Sequence, residues 1–253
     1  MVQKQLDDLG QDIFEARYAY PGEKKWQERA KVVARVAASV EPDDSKEFNE
    51  KKFYKSMADG DFIPGGRIIF GSGRGEGKQN LLNCFALEPE DSVTSIGKTI
   101  KDMYTISCGG GGIGFNFSKI RPKGDDIQNI AHSAPGSVSV MRMINEIAEH
   151  VRAGKNRRSA LMGILNITHP DLFEFLHVKL DQGELNNFNI SVAITDRFIE
   201  ACTLGEDWNF TFNNRKYFVY ELKRVNPDGV PETVNVVALD ERDALARAKE
   251  HYR

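Results

Sequence analysis

Between residues 80 and 200 short apolar runs alternate with helical segments, and that alternation constrains the fold more than any other feature of the chain. The runs at 83–87, 112–117, 161–166 and 188–194 have the length of strands, while 92–106, 137–152 and 169–179 carry the three-to-four apolar spacing of helices. A strand that returns parallel to its predecessor needs a crossover long enough for a helix, and these intervals supply one. The expected class is therefore α/β, with a sheet that is at least partly parallel.

The flanks read differently. Residues 1–60 are expected to be a helical N-terminal region: 26–40 spaces apolar residues by three and four, and 48–57 continues after a turn at Glu41-Pro42-Asp43. From Phe62 to Gly77 glycine becomes dense enough for a loop-rich entry into a second domain. In the tail, Asn213-Asn214 is the expected turn of a hairpin. Asn226-Pro227-Asp228-Gly229 then leads to a second strand over 233–239, and Asp240 caps a closing helix. The expected organisation is a helical region over 1–60, an α/β body over 61–207 and a ββα appendage over 208–253.

Composition limits the partners. Lys and Arg total 34 against 37 Asp and Glu, a net charge of −3, which asks for neither nucleic acid nor a membrane. No apolar run approaches the roughly 18 residues of a spanning helix, and the first residues lack the pattern of a signal peptide, so the expected setting is the reducing cytoplasm. Three cysteines, Cys84, Cys108 and Cys202, form neither a disulfide framework nor a zinc pattern. The five histidines lack paired metal-ligand spacing, and no metal site is expected.

Four stretches could carry chemistry. Gly109 to Gly112 with Gly114 lets a backbone approach an anion or make a tight turn, but the run follows a helix and enters a strand, the reverse of a dinucleotide-binding turn. Lys155, Arg157 and Arg158 are either a solvated loop or an anion clamp. His169-Pro170-Asp171 looks like a helix start, which favours a structural role for His169. Cys84 falls on an apolar run expected to be a buried strand, where a free cysteine usually acts as a small hydrophobe.

The order of the pieces adds more. Asn83-Cys84-Phe85-Ala86-Leu87 is followed by Asp91-Ser92-Val93 with Ile96, then Gly110 to Ser118 with Ile120-Arg121-Pro122 and Gly124. Next come Gly154 with Arg157-Arg158, Ala160 and Met162; His169-Pro170-Asp171-Leu172 with Glu174-Phe175 and Lys179; and Asn187 to Val192 with Ile194-Thr195-Asp196. Over residues 62–202 this series resembles the large subunit of ribonucleotide reductase, in phrasing that is nearest the adenosylcobalamin-dependent class.

The resemblance implies the first half of a ten-stranded α/β barrel. It also implies a radical reaction in which a nucleotide's 2′-hydroxyl is replaced by hydrogen and two cysteines supply the electrons. By position Cys84 is similar to the cysteine that delivers hydrogen to the 2′ carbon, with Asn83 and Gly112 beside the substrate. Asp91 matches the acidic residue that takes the sugar of a deoxynucleoside triphosphate effector. Arg121 matches the arginine at the effector's phosphates, with Ser92 and Lys123 beside them. Residues 124–135 correspond to a first specificity loop and 180–188 to a second, in which Leu180, Asp181, Gln182 and Asn187 pass effector identity to the substrate pocket.

Leu180-Asp181-Gln182 departs from the Arg-Asp-Pro often found there, and Ser133-Ala134-Pro135-Gly136 permutes a usual Ser-Gly-Pro. The radical cysteine, the catalytic glutamate, the second redox cysteine and the substrate phosphate loop have no counterpart among these residues. The expectation is a split or truncated reductase that needs a complementary C-terminal polypeptide. Adenosylcobalamin is then bound mainly by that portion or in the assembly, a thiol reductant such as thioredoxin serves the assembly, and exposed strand edges favour a homodimer. A noncatalytic deoxynucleotide-binding remnant is the alternative. No ATP-binding cone is recognisable in 1–60, so specificity control without an overall activity switch is expected.

Overall fold

The computed structural model describes residues 6–75, 80–127, 133–153, 157–180, 183–225 and 230–250. The chain divides into two compact units, residues 1–84 with 109–111, and residues 85–108 with 112–253.

The first unit is built from helices α1 (Asp8–Arg17), α2 (Trp26–Ala38), α3 (Lys46–Ala58) and α4 (Gly66–Gly71). Asp7 caps α1 by accepting the Gly10 N–H at 2.7 Å. On α2 the buried residues Trp26, Ala30, Val33, Ala34 and Ala38 recur at helical spacing and form one apolar stripe. The Trp26 ring meets Phe14 of α1 edge to face at 6.3 Å, and its indole N–H donates to the Met57 carbonyl of α3 at 2.8 Å. Arg29 is buried in the same stripe, pairs with Glu23 at 3.4 Å and donates to the Ser72 carbonyl. Burial lowers its pKa and Glu23 partly offsets that. Helix α4 lies inside the glycine-dense stretch expected to be loop. The Gly65 carbonyl nucleates it, accepting from the N–H groups of Ile68 and Ile69 at 2.9 and 3.2 Å.

The second unit holds a four-stranded sheet in the order β1 (Cys84–Leu87), β2 (Gly112–Asn116), β5 (Leu161–Asn166), β6 (Phe188–Ala193). Strand β5 pairs in parallel with both β2 and β6, with Ile113 opposite Leu161 and Leu161 opposite Phe188. A separate two-stranded ribbon joins β3 (Arg152–Ala153) to β4 (Arg157–Arg158). Helices α5 (Val93–Cys108), α6 (Gly136–His150) and α7 (Leu172–His177) connect the strands of the main sheet.

Alternation along the strands puts one face into the core. Ile113, Phe115 and Phe117 are buried with Leu161, Leu165 and Phe188 against Met103 of α5, Met141 and Ile144 of α6 and Phe175 of α7. Phe115 stacks on Phe117 at 5.6 Å, and both rings meet Phe188. Gly163 faces Phe115 across the ladder, and a Cβ there would come 2.6 Å from the Met141 methyl carbon. The missing side chain thus leaves room for Met141 to reach the sheet.

One expectation needs correction. Residues 84–87 do form a strand, but Cys84 is exposed rather than buried. Among the described residues β1 ends the sheet, next to β2, and its alternation leaves Cys84 and Ala86 exposed. Phe85 and Leu87 pack on the core, so Cys84 and Ala86 fall on the opposite face of the sheet, where Met162 of central β5 is exposed too; an apolar run alone does not tell which face is covered.

After α8 (Asp196–Leu204) the chain forms an antiparallel sheet of β7 (Phe210–Phe212), β8 (Arg215–Val225) and β9 (Pro231–Ala238), then α9 (Glu241–Glu250). Asn213 and Asn214 both take positive φ, 47° and 63°, as the tight turn between β7 and β8 requires. Asp240 accepts from the Asp243 N–H and Asp243 accepts from the Leu239 N–H, each at 2.8 Å, a reciprocal cap at the start of α9. Phe210, Phe212 and Tyr217 bury themselves on Ile167 and Leu172. Among the described residues no helix is long and apolar enough to cross a membrane.

Candidate functional site

The turn after β1 and the segment after β2 bring charged residues together. Asp91 lies just before α5 and Arg121 just past β2, and Arg121 Nε donates to Asp91 Oδ2 at 2.7 Å. Arg121 Nη1 also donates to the Asp126 carbonyl at 2.8 Å. The two side chains keep 31% and 26% of their exposure, so the pair is partly screened by protein yet open to solvent. Ser92 caps α5 by accepting the Ser95 N–H at 3.2 Å. Lys119 bridges Glu88 and Glu90 at 2.8 and 2.6 Å, and those hydrogen bonds push its pKa well up.

Lys123 is fixed through its main chain. Its N–H donates to Asp171 Oδ1 at 2.8 Å, while its ammonium pairs with Glu174 at 3.3 Å. Asp171 is itself buried and takes the Ser137 N–H and hydroxyl on Oδ2 at 2.8 and 2.9 Å, which ties the first turn of α6 to the same carboxylate. The segment that begins at Gly124 is closed at its base by Gly124 N–H to Ala134 O and Ala134 N–H to Asp125 O, both 2.9 Å. Residues 128–132 lie outside the described residues.

The expected second loop is tied at its ends. Lys179 Nζ donates to the Leu185 and Phe188 carbonyls at 2.9 and 3.1 Å. Asn187 donates to Asn145 Oδ1 of α6 from its backbone at 3.1 Å, and Arg142 of α6 donates to Glu184 at 2.9 Å. Leu180 is exposed, whereas Asp181 and Gln182 lie outside the described residues.

The structure thus brings Asp91 to Arg121 and places Ser92 and Lys123 in the adjoining turns. Asn83 and Cys84 fall at the end of the first unit, and Gly112 opens β2 in the second. The Asn83 amide lies against Gly65, where a Cβ would meet its nitrogen at 2.6 Å. The glycine run also holds a side chain of its own unit: Gly110 has φ +74°, and a Cβ there would sit 1.4 Å from Arg67 Nη2. That close approach supplies a structural reason for the glycine that spacing alone did not reveal. Of the basic knot, 154–156 lie outside the described residues. His169 is buried, with Nε2 bonded to the Ile120 carbonyl at 2.8 Å and Nδ1 accepting the Asp171 N–H at 3.1 Å. Sequence reasoning missed Asn145, Glu184 and the ligands of Asp171, because nothing local in the sequence marks a partner forty residues away.

Among the described residues no group of His, Cys, Asp and Glu is arranged to hold a metal ion. A cleft of about 910 Å³ runs between α6, α7, β9 and α9, but its charged residues are already engaged, Lys123 with Glu174 and Arg142 with Glu174 and Glu184.

A helical unit and a second unit with a partly parallel sheet flanked by helices define the class as α/β with a helical N-terminal region. The sequence profile of the ribonucleotide reductase barrel domain matches residues 82–243, and that of the ribonucleotide reductase all-alpha domain matches residues 4–77. The chain belongs to the ribonucleotide reductase large-subunit family. It is 39% identical over 150 residues to a vitamin B12-dependent ribonucleoside-diphosphate reductase of Thermoplasma acidophilum, covering 59% of this chain and 19% of that protein. It is 35% identical over 173 residues to one of Mycobacterium tuberculosis, covering 68% and 25%. The class Id ribonucleotide reductase alpha subunit of Actinobacillus ureae shares the fold with a TM-score of 0.64 at 22% identity, over 79% of this chain and 36% of that one. The chain therefore spans about a fifth to a quarter of the length of these curated relatives.

Proposed function

We propose that this chain carries the specificity-effector site and one redox cysteine of a ribonucleotide reductase, and that it converts ribonucleotides to deoxyribonucleotides together with a complementary polypeptide. The observation that carries this reading is the Asp91–Arg121 pair, a carboxylate and a guanidinium 2.7 Å apart at the base of the segment 124–135. A deoxynucleoside triphosphate has a partner for each: a sugar hydroxyl donates to Asp91, and phosphate oxygens accept from Arg121. Ser92 and Lys123 flank the same position. Helix α6 joins the two specificity segments, since residues 133–135 run into it and Glu184 and Asn187 bond to it. An element held by both is a physical route by which the effector's base could bias Leu180, Asp181 and Gln182.

In this reading Cys84, with Asn83 and Gly112 near the sugar, is one of two thiols oxidised in turnover. The pair gives up two electrons and two protons as its disulfide forms, C2′–OH becomes C2′–H, and water leaves. Adenosylcobalamin is the radical source in this proposal. The charged side chains of the cleft of about 910 Å³ are paired with one another, and the cofactor is assigned mainly to the complementary portion or to the assembly. A second copy of the chain and a dithiol reductant such as thioredoxin complete the assembly.

Equilibrium titration of the four deoxynucleoside triphosphates tests the effector site. Asp91→Ala and Arg121→Ala should each weaken binding about tenfold or more, and unchanged binding in both refutes it. With the complementary polypeptide added, Cys84→Ser should keep effector binding and lose turnover. Retained turnover removes Cys84 from the redox pair.

A further inference from the structure

Asp125, the second residue of the segment 124–135, is a carboxylate only 3% exposed. Three side chains of the C-terminal ββα segment converge on it. Arg215 Nη2 donates to Oδ2 at 2.8 Å, the Tyr217 hydroxyl to Oδ2 at 2.8 Å, and Arg247 Nη2 to Oδ1 at 2.9 Å. Arg247 reaches further: Nη1 donates to the Lys123 carbonyl, and Nε is held by Asp243 at 2.9 Å. Burial alone pulls the Arg247 pKa down, but the carboxylates of Asp243 and Asp125 more than offset it and keep the guanidinium charged. The Lys123 peptide is consequently gripped on both sides, its N–H by Asp171 and its carbonyl by Arg247.

A buried carboxylate is tolerated only while its donors are in place, because an unpaired buried charge costs several kcal/mol, on the order of 3–5. Asp125 and Asp243 face Arg215 and Arg247, so the cluster is balanced in charge only when the segment 124–135 and the ββα segment are docked together. If the two part, Asp125 loses all three of these side-chain donors and Arg247 is left with Asp243 alone.

We propose that the ββα segment, through Arg215, Tyr217 and Arg247, anchors the base of the 124–135 segment at Gly124, Asp125 and Ala134. Arg247, directly, and Tyr217, through Asp125, act as positioning residues for Lys123 and thereby tune affinity for a deoxynucleoside triphosphate. The affinity part rests on the effector reading above; the anchoring part does not.

Hydrogen exchange of the full 253-residue chain, paired with titration of the four deoxynucleoside triphosphates, separates the two. In Arg247→Ala the Gly124 and Ala134 amides should exchange about tenfold or more faster. Amides within α2 should be unchanged, and nucleotide affinity should fall about tenfold. Tyr217→Phe keeps the buried ring and should give the same pattern more weakly, which covers the case in which Arg247→Ala does not fold. Leu245→Ala, an exposed change on α9, is the control and should alter neither reading. Unchanged exchange at Gly124 and Ala134 in both Arg247→Ala and Tyr217→Phe overturns the anchor. Faster exchange with unchanged affinity overturns the positioning role. Faster exchange in a protein whose unmodified form binds none of the four nucleotides supports the anchor and refutes the effector reading instead.

Discussion

Arg121 and Asp91 lie thirty positions apart in the sequence and meet at 2.7 Å, with the second arm of the guanidinium on the Asp126 carbonyl at 2.8 Å. One planar group thus spans the turn before α5 and the start of the segment 124–135. Two divergent N–H vectors are needed for that, and a lysine ammonium at the end of a flexible stem does not reproduce them.

Arg121→Lys should therefore behave as a loss and not as a conservative change. Deoxynucleoside triphosphate affinity is expected to fall about tenfold although the charge is retained. Titration at two ionic strengths checks it, since an effect of charge alone would leave the lysine variant equal to the unmodified chain at low salt.

Asp171 holds three donors with two oxygens: the N–H of Lys123 on one and the N–H and hydroxyl of Ser137 on the other. Asp171→Asn must turn an NH₂ toward one of those N–H groups, placing donor against donor in a buried site. We expect a loss of about 2 kcal/mol, read from the urea midpoint at constant slope. A midpoint within a few tenths of a molar of the unmodified chain would show that the site relaxes around the amide.

Gly110 combines φ +74° with a guanidinium against its Cα. Gly110→Ala should destabilise the first unit by about 1–3 kcal/mol, from left-handed strain and displacement of Arg67. In the Arg67→Ala background the same change should cost less, because only the backbone strain remains. Equal costs in both backgrounds, in a double-mutant cycle on thermal unfolding, would show that the guanidinium yields freely.

The alternating core was legible because its signals are local. The period-two burial of Ile113, Phe115 and Phe117 and the run Leu161–Asn166 follow from side-chain alternation, and Asn213-Asn214 and Asp240 carry their turn and cap in their own chemistry. The depth of Cys84 is not legible because an apolar run does not reveal which of its alternating residues face the core and which the uncovered side of the sheet. The α4 helix was hidden by glycines whose neighbours Ile68, Ile69 and Phe70 supply its apolar turn. The resemblance assigns Asp91 and Arg121 to one effector, at its sugar and its phosphates, and does not imply their direct ion pair. Asp125 could not be paired from the sequence, since its partners lie ninety and more residues away and nothing near it distinguishes it from Asp126.

The Tyr217 phenol gives the pH dependence its sign. Burial and then the hydrogen bond to Asp125 raise its pKa above the ordinary 10.0, while Arg215 and Arg247 pull the other way. A phenol that holds its proton more tightly when folded contributes stability that is fully present below the unfolded value. That contribution is lost as pH climbs from there toward the folded one. Unfolding free energy should thus begin to fall near pH 10.0 in the unmodified chain. Tyr217→Phe should start about 1 kcal/mol lower at neutral pH, having lost the bond to Asp125, and should lack this alkaline limb, so that the two curves converge. Urea midpoints measured from pH 8 to 11 decide it. Parallel curves across that range would mean that the hydroxyl ionises as freely in the folded chain as in the unfolded one.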